Sequence, residues 1–498
     1  MIRPFSLLLF LALACPLRAD VRPHGFFGDH MVLQRDTPVP VWGRADPGEE
    51  VAVTFRDETA MARADANGEW KTTLPKVAPG QPALLTIRGK NTVTFQNVLV
   101  GDVWLCSGQS NMAASVSSVE NAAAEMAAAN LPEVRHIRAK LRTADQPRTD
   151  FEGRWAVCTP ATAKDFSAVA FFFAREISAD LGVPIGIVNC TWGGTSATAW
   201  MSAEALTDDP GVARQWAKTL ADFPAAQIRH VDALAAWEKA DADARATGRP
   251  FAQKKPVAPA GPGDRNTPGG LWNAMIAPLV PARFKGILWY QGEQDASKHA
   301  SYRRWFPALI RQWRRNLGQG DLPFLFVQLP NHNSDGANRL SWAGMRATQA
   351  EALALPNTGM AVTIDTGDNL DVHPKRKQPV GHRLALVAKA KVYGVPVAFE
   401  GPVFGTAKAE GSALIVRFQR AAQSLAAKGG ALREFQLAGA DRQWKPAVAV
   451  VEGETLRVTC AEVPVPVAVR YAWRNGLDAN LYNGDDLPAA PFRSDDWP

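Results

Sequence analysis

The sequence predicts an α/β fold, a parallel sheet covered on both faces, with a smaller β domain on each side. Two observations carry this prediction. Continuous apolar runs (NVLVGDVWLC at 97–106, IGIVNC at 185–190, KGILWY at 285–290, PFLFV at 323–327) alternate with helix-forming stretches, the pattern of strands buried on both faces. Either side of this region, short alternating segments separated by turn residues read as antiparallel strands.

The chain has 498 residues, too many for one ordinary core, so two or three domains are expected. Residues 1–19, MIRPFSLLLFLALACPLRA, combine Arg3, an apolar stretch and a small residue at Ala19. They read as a secretory signal peptide cleaved after Ala19, too short for a membrane span, and imply an exported protein, periplasmic or extracellular. Losing Arg3 and Arg18 takes the formal charge from +6 to +4. That is mild for this length and excludes the dense basic surface of a nucleic-acid binder. PKRK at 374–377 is the only tight basic run and reads as a solvated turn. Four cysteines remain, Cys106, Cys158, Cys190 and Cys460, in no zinc-ligand pattern; Cys106 and Cys190 end apolar runs and read as buried thiols. Sixteen tryptophans against five tyrosines suit either a large core or sugar-stacking platforms.

Residues 20–96 hold PVPVWGRA, EEVAVTF, GEWKTTLP and ALLTIRG between Pro-Gly and Asn-Gly turns, a small antiparallel sandwich. The α/β domain spans 97–396. Within it SAVAFFFAREISADLG is an amphipathic helix closed by Gly182, and YRRWFPALIRQWRRNLG is a second helix. Residues 203–270 are an insertion, first Ala-rich and charged, then Pro/Gly-rich. From 397 to 498 strand patterning returns as a terminal β domain.

Ligands of open α/β sheets bind beyond the carboxyl ends of the strands, and four such ends here are polar or glycine-rich. They are SGQSNM after the first run, TWGGTS at 191–196, YQGEQD at 290–295 and DTGDNLDVHP at 365–374. Ser110 sits where a helix begins, so it is either an N-cap or a nucleophile. The G-x-S-x-G elbow is broken, because Met112 stands at the second glycine position. A nucleophile needs a base and an acid to orient it. His373 is a candidate base, with Asp371 two residues before it and on the same side of an extended chain. Gly193 and Gly194 offer backbone free of side chains for an oxyanion hole, and Gln291 offers an amide donor. Glu293 is either a first-turn helix carboxylate or a second candidate acid. These residues lack any recognised metal-ligand spacing, and no cofactor motif is present.

GDVWLCSGQSNM, TWGGTSATAW, WYQGEQD and DVHPKRKQPVGHRLA together resemble the sialate O-acetylesterases, a branch of the SGNH-hydrolase superfamily. MVLQRDTPVPVWGRADPGEEVAVTF and VRYAWRNGLDANLYNGDDLPAAPFRSDDW extend the resemblance to both ends of the mature chain. It implies a flavodoxin-like three-layer α/β/α core with flanking β-sandwich-like domains, and metal-free hydrolysis of O-acetyl esters on sugars. By position it makes Ser110 the nucleophile, His373 the base, and the Ser110 N–H, Gly193 or Gly194 and Gln291 the oxyanion hole. The superfamily's acid stands three residues before the histidine, where this chain has Leu370, so Asp371 is taken as the acid, with Asp368 and Glu293 in reserve. Relatives often carry a carboxylate where this chain has Thr198.

The expected substrate is an O-acetylated sialic acid, whose carboxylate would suit Lys375 or Arg376. Acetylxylan or another plant polysaccharide is the alternative, neutral and compatible with Trp192, Trp200 and Trp289. A sugar-binding protein without catalysis is the reading from another class, opposed by the joint presence of Ser110, Asp371 and His373.

Overall fold

The computed structural model describes residues 20–333, 340–419 and 424–497; the expected signal peptide lies outside them. The central sheet is built from β1 (Thr92–Gly108), β2 (Leu131–Arg138), β3 (Trp155–Cys158), β4 (Ile185–Thr191), β5 (Gly286–Tyr290), β6 (Phe324–Val327) and β7 (Thr358–Ala361). Their spatial order is β3-β2-β4-β1-β5-β6-β7. All neighbours run parallel except the edge strand β3, which runs antiparallel to β2. The sheet is therefore mixed at one edge, where the sequence had suggested a parallel sheet throughout.

Among the helices are α1 (Ser110–Ala113), α2 (Ala168–Leu181), α3 (Pro210–Ala246), α4 (His299–Leu317), α5 (Ser341–Glu351) and α6 (Gln378–Lys391). In β1 and β5 every residue from Val98 to Gly108 and from Gly286 to Tyr290 is buried, as strands with both faces covered require. Trp104 packs edge-on against Phe173 of α2, 4.9 Å between ring centres. Trp289 points to the other face, against Phe306 and Trp313 of α4. α2 pairs with α6, and α4 with α5, completing a helical layer on each side.

β1 crosses the expected domain boundary at 96/97 without interruption. Its first half pairs antiparallel with Ala83–Arg88 of the N-terminal sheets, and its second half lies between β4 and β5. One hydrophobic core runs from Val21 to Ala388, so the N-terminal β module and the α/β region pack as one body. At their junction buried Asp102 accepts both hydrogen bonds of the Arg35 fork at 2.9 Å and one from the Tyr393 hydroxyl, also at 2.9 Å. The C-terminal module keeps its own core around Leu414, Val416, Leu456, Val458 and Tyr471, which Ile364 joins from the loop after β7. In the insertion, α3 has 37 residues and none is buried. The four cysteines among the described residues are free thiols, those at 106, 158 and 190 buried.

His136 of β2 is buried, stacked on Phe166 at 4.4 Å, with Nε2 3.2 Å from the Asn189 amide nitrogen. Burial, and secondarily the charge of Arg138, pushes its pKa down to about 3. The unfolded chain takes up this proton near the ordinary value of about 6.5 and the fold resists it. The stabilisation is thus complete above pH 6.5 and is lost as the pH falls through that window towards 3. Thermal unfolding followed from pH 7 to 5 should show a falling Tm, with a shallower slope in His136→Gln.

Candidate functional site

The site forms where β1 stops. Gly108 has φ +128°, and a Cβ there would lie 2.1 Å from the Tyr290 carbonyl oxygen at the end of β5. Only glycine allows the two strand ends so close while turning the chain out of the sheet. Gln109 caps the short helix α1, and Ser110 is its first residue. The N-cap reading of Ser110 thus passes to Gln109, whose Oε1 accepts from the Gln294 N–H at 3.2 Å. A Cβ on Gly193, after β4, would sit 3.2 Å from Ser110 Cβ, so a side chain there would crowd the hydroxyl. No backbone partner is recorded among the described residues for the Ser110 and Gly193 N–H groups.

The loop after β7 brings His373 back across the same edge. Its Nε2 lies 2.8 Å from Ser110 Oγ although 263 positions separate them in the chain. Asp371 is placed differently from the expectation. Its Oδ1 accepts from the backbone N–H of His373 at 2.8 Å and stands 3.9 Å from Nδ1, beyond hydrogen-bond reach. Both side chains are about half exposed, at 52% for His373 and 53% for Asp371. Asp368 turns to its own loop, accepting from the N–H groups of Leu370 and Asp371.

Gln291 does not offer the donor expected of it. Its Nε2 donates to the Thr195 carbonyl at 3.1 Å and to Asp295 Oδ2 at 2.8 Å, so both amide protons are engaged. Asp295 is wholly buried and also accepts from the Ala197 N–H at 2.8 Å. Burial raises its pKa, opposed by the donors of Ala197, Ser196 and Gln291. This carboxylate lies behind the TWGGTS turn, close to buried Thr198. Trp200 and Trp289 are fully buried and correct the idea that they serve as sugar platforms; Trp192 is half-buried beside Gly193.

Glu293 turns away from His373 and towards Asn111. The Asn111 amide donates to Glu293 Oε1 and, at 2.9 Å, to the Val372 carbonyl, while its oxygen accepts from Lys377 Nζ. Lys377, read as part of a solvated turn, is only 2% exposed, with its ammonium 5.7 Å from the Tyr290 ring centre. Burial lowers its pKa to about 8 against the attraction of Glu293 and Asp371, and burial raises that of Glu293. Asn111, Lys377 and Asp295 were missed because amides and single charges inside an apolar or basic run carry no periodic signal. Arg265 was missed too, on the Pro/Gly-rich segment: a Cβ on Gly194 would touch its guanidinium at 3.4 Å. Asn266 fixes that segment, accepting from the Ser196 N–H at 2.7 Å and donating to the Gly194 carbonyl at 3.1 Å. Among the described residues no cluster of three or more His, Cys, Asp or Glu has a geometry that would hold a metal ion.

A family model described as carbohydrate esterase, sialic acid-specific acetylesterase, matches residues 100–245 and 267–389. The sialate O-acetylesterase of Rattus norvegicus is 31% identical over 80% of each chain. That of Mus musculus is 30% identical over 94% of this chain and 93% of its own. Among solved structures, a carbohydrate acetylesterase from Xanthomonas citri is 38% identical, with a TM-score of 0.82 over 96% of this chain and all of its own.

Gly108→Ala combines a clash with a backbone region that side chains avoid. It should lower unfolding free energy by about 3 kcal/mol or more, measured by urea titration.

Proposed function

This chain belongs to the carbohydrate esterase family of sialic acid-specific acetylesterases, and we propose that it removes O-acetyl groups from sialic acids through an acyl-enzyme on Ser110. It is a carboxylic ester hydrolase. The observation that carries the mechanism is the 2.8 Å contact between His373 Nε2 and Ser110 Oγ. In this reading His373 takes the hydroxyl proton as Oγ attacks the acetyl carbonyl, and the tetrahedral oxyanion accepts from the Ser110 and Gly193 N–H groups. His373 then returns the proton to the departing sugar oxygen, and water attacks the acetyl-serine by the same route.

Asp371 acts in this scheme as a counter-charge rather than as an orienting partner. At about 4 Å an ion pair is worth ~1 kcal/mol in water and ~4 kcal/mol at a screened protein surface, and an exposed pair lies at the low end. We read the core as flavodoxin-like, because the order β4-β1-β5-β6-β7 follows that fold's 2-1-3-4-5 arrangement, with Ser110 at the switch point. β-sandwich-like modules flank it, and export rests on the leader-like residues 1–19.

For the sugar, the specific support is Arg265. It is exposed, has no ion-pair partner among the described residues, and borders the Gly193-Gly194 turn that touches Ser110. Bond lengths and these two contacts bound its guanidinium carbon to within about 13 Å of Ser110 Cβ. One acetylated monosaccharide spans such a gap, and a free guanidinium there favours a sugar carboxylate over neutral xylan. Arg376, considered earlier for this role, donates to the Asp365 carbonyl.

Ser110→Ala and His373→Ala should each reduce acetate release from p-nitrophenyl acetate by about 10³-fold or more; substantial turnover in folded Ser110→Ala would refute the mechanism. Asp371→Asn should cost about tenfold at most, far below the ~10⁴ lost where the acid orients the imidazole. Arg265→Ala should raise KM for O-acetylsialate by about fivefold to tenfold while leaving p-nitrophenyl acetate unaffected. Acetylxylan releasing acetate faster than O-acetylsialate would move the assignment to plant polysaccharide.

A further inference from the structure

The half-exposed histidine raises the question of what keeps Nε2 within reach of Ser110. Asp371 bonds the loop's own backbone, and Arg376 holds Asp365, so these ties lie within the loop. One recorded hydrogen bond joins the residue after the nucleophile to the residue before the base: Asn111 Nδ2 to the Val372 carbonyl, 2.9 Å. Asn111 is completely buried, and each polar position of its carboxamide has a partner. Lys377 donates to its oxygen from the start of α6, and its second N–H goes to Glu293 directly after β5. Glu293 Oε2 is buried without a hydrogen-bond partner among the described residues, so the bond from Asn111 to its other oxygen is made out of water.

We propose that Asn111, oriented between Lys377 and Glu293, is a positioning residue that sets the register of the His373 loop against Ser110. The amide is planar, so a donor on its oxygen and an acceptor on its nitrogen fix the direction of the remaining N–H, which meets Val372. An ammonium on one side and a carboxylate on the other polarise the amide and strengthen both bonds. A rotation of Asn111 would release Val372 and let the imidazole drift over the exposed edge. Displacement of a reacting group by about 1 Å costs on the order of 10²-fold in rate. Lys377 and Glu293 thus act only through Asn111, by orienting its amide, and neither touches the ester. The inference rests on the Ser110–His373 reading above.

The test uses the full chain, p-nitrophenyl acetate, and phosphonylation of Ser110 by a p-nitrophenyl phosphonate as a direct measure of nucleophile activation. Asn111→Ala should lower kcat and the phosphonylation rate together by about 10²-fold, with KM within about twofold. Ser110→Ala/Asn111→Ala should be no slower than Ser110→Ala alone, as for groups acting as one unit. Glu293→Gln keeps an oxygen that accepts from Asn111 and should retain activity within about fivefold; Glu293→Leu removes the acceptor and should fall with Asn111→Ala. Folded Asn111→Ala with kcat within about threefold of the parent, while Ser110→Ala is inactive, overturns the positioning role and leaves the esterase reading intact. An active Ser110→Ala overturns that reading instead. If Asn111→Ala does not fold, the Glu293 pair decides: equal losses in Glu293→Gln and Glu293→Leu contradict orientation through the hydrogen bond.

Discussion

The site depends on the contact between Gly108 and the Tyr290 carbonyl. β1 and β5 are neighbouring parallel strands in register to their last residues, and a side chain at 108 would occupy the place of that oxygen. Because the chain leaves the sheet at φ +128°, Ser110 clears the strand edge after a single intervening residue. A serine left inside β1 would resemble Ser107, whose hydroxyl is buried without a partner among the described residues. Removing Cβ at 193 as well leaves the hydroxyl open on the β4 side, so missing side chains shape the site as much as the ones present.

A rigid polar floor lies beneath that edge. Gln109 reaches from β1 to the backbone after β5, and Gln291 from β5 to the turn after β4. Gln349 of α5 donates to the carbonyls of Gln291 and Val327 and accepts from the Leu329 N–H, joining β5 to β6. Each such bond contributes only about 1 kcal/mol net, but leaving its buried partner unpaired costs about 1–3 kcal/mol. The strand ends therefore resist relative movement. The His373 loop is held at Asn369, by Asn331 and Leu477, and at Lys375, by the Glu120 N–H, while Asn111 joins it directly to the residue beside Ser110.

Much of this organisation is legible in the sequence. Apolar runs with glycine-rich ends mark β1, β4, β5 and the loop after β7, since strand burial and strand termination both leave compositional traces. Ser110, His373, Gly193 and Gly194 stand out in this way as candidates, and the structure gathers them at one edge. Side-chain direction was not legible. Asp371 does precede His373 by two residues, but the chain there is a turn, so its carboxylate meets a backbone N–H before any imidazole. Gln291 has the right chemistry, yet buried Asp295 four residues later competes for its protons. Lys377 lies in a basic run that looks solvated until α6 draws its ammonium under Tyr290. At the expected domain boundary the patterning changes at 97 because burial changes from one face to two, while the strand itself continues.

That continuity ties the N-terminal module to the position of Ser110. The strand that delivers Ser110 begins at Thr92, pairs within the module as far as Gly101, and becomes the central strand of the sheet from Asp102 onward. Asp102 is an ion removed from water at this junction. A buried carboxylate is tolerated only when donors replace its hydration, and here they come from both regions: Arg35 and Gln34 from the module, Tyr393 from the end of the α/β region. Separating the module would strand that charge and expose the shared core, so a cut near residue 97 would not yield an independent catalytic domain. Five strands flanked by helices could stand alone in a simpler hydrolase. In this chain the central strand is shared, and the β module is part of the scaffold that fixes Ser110.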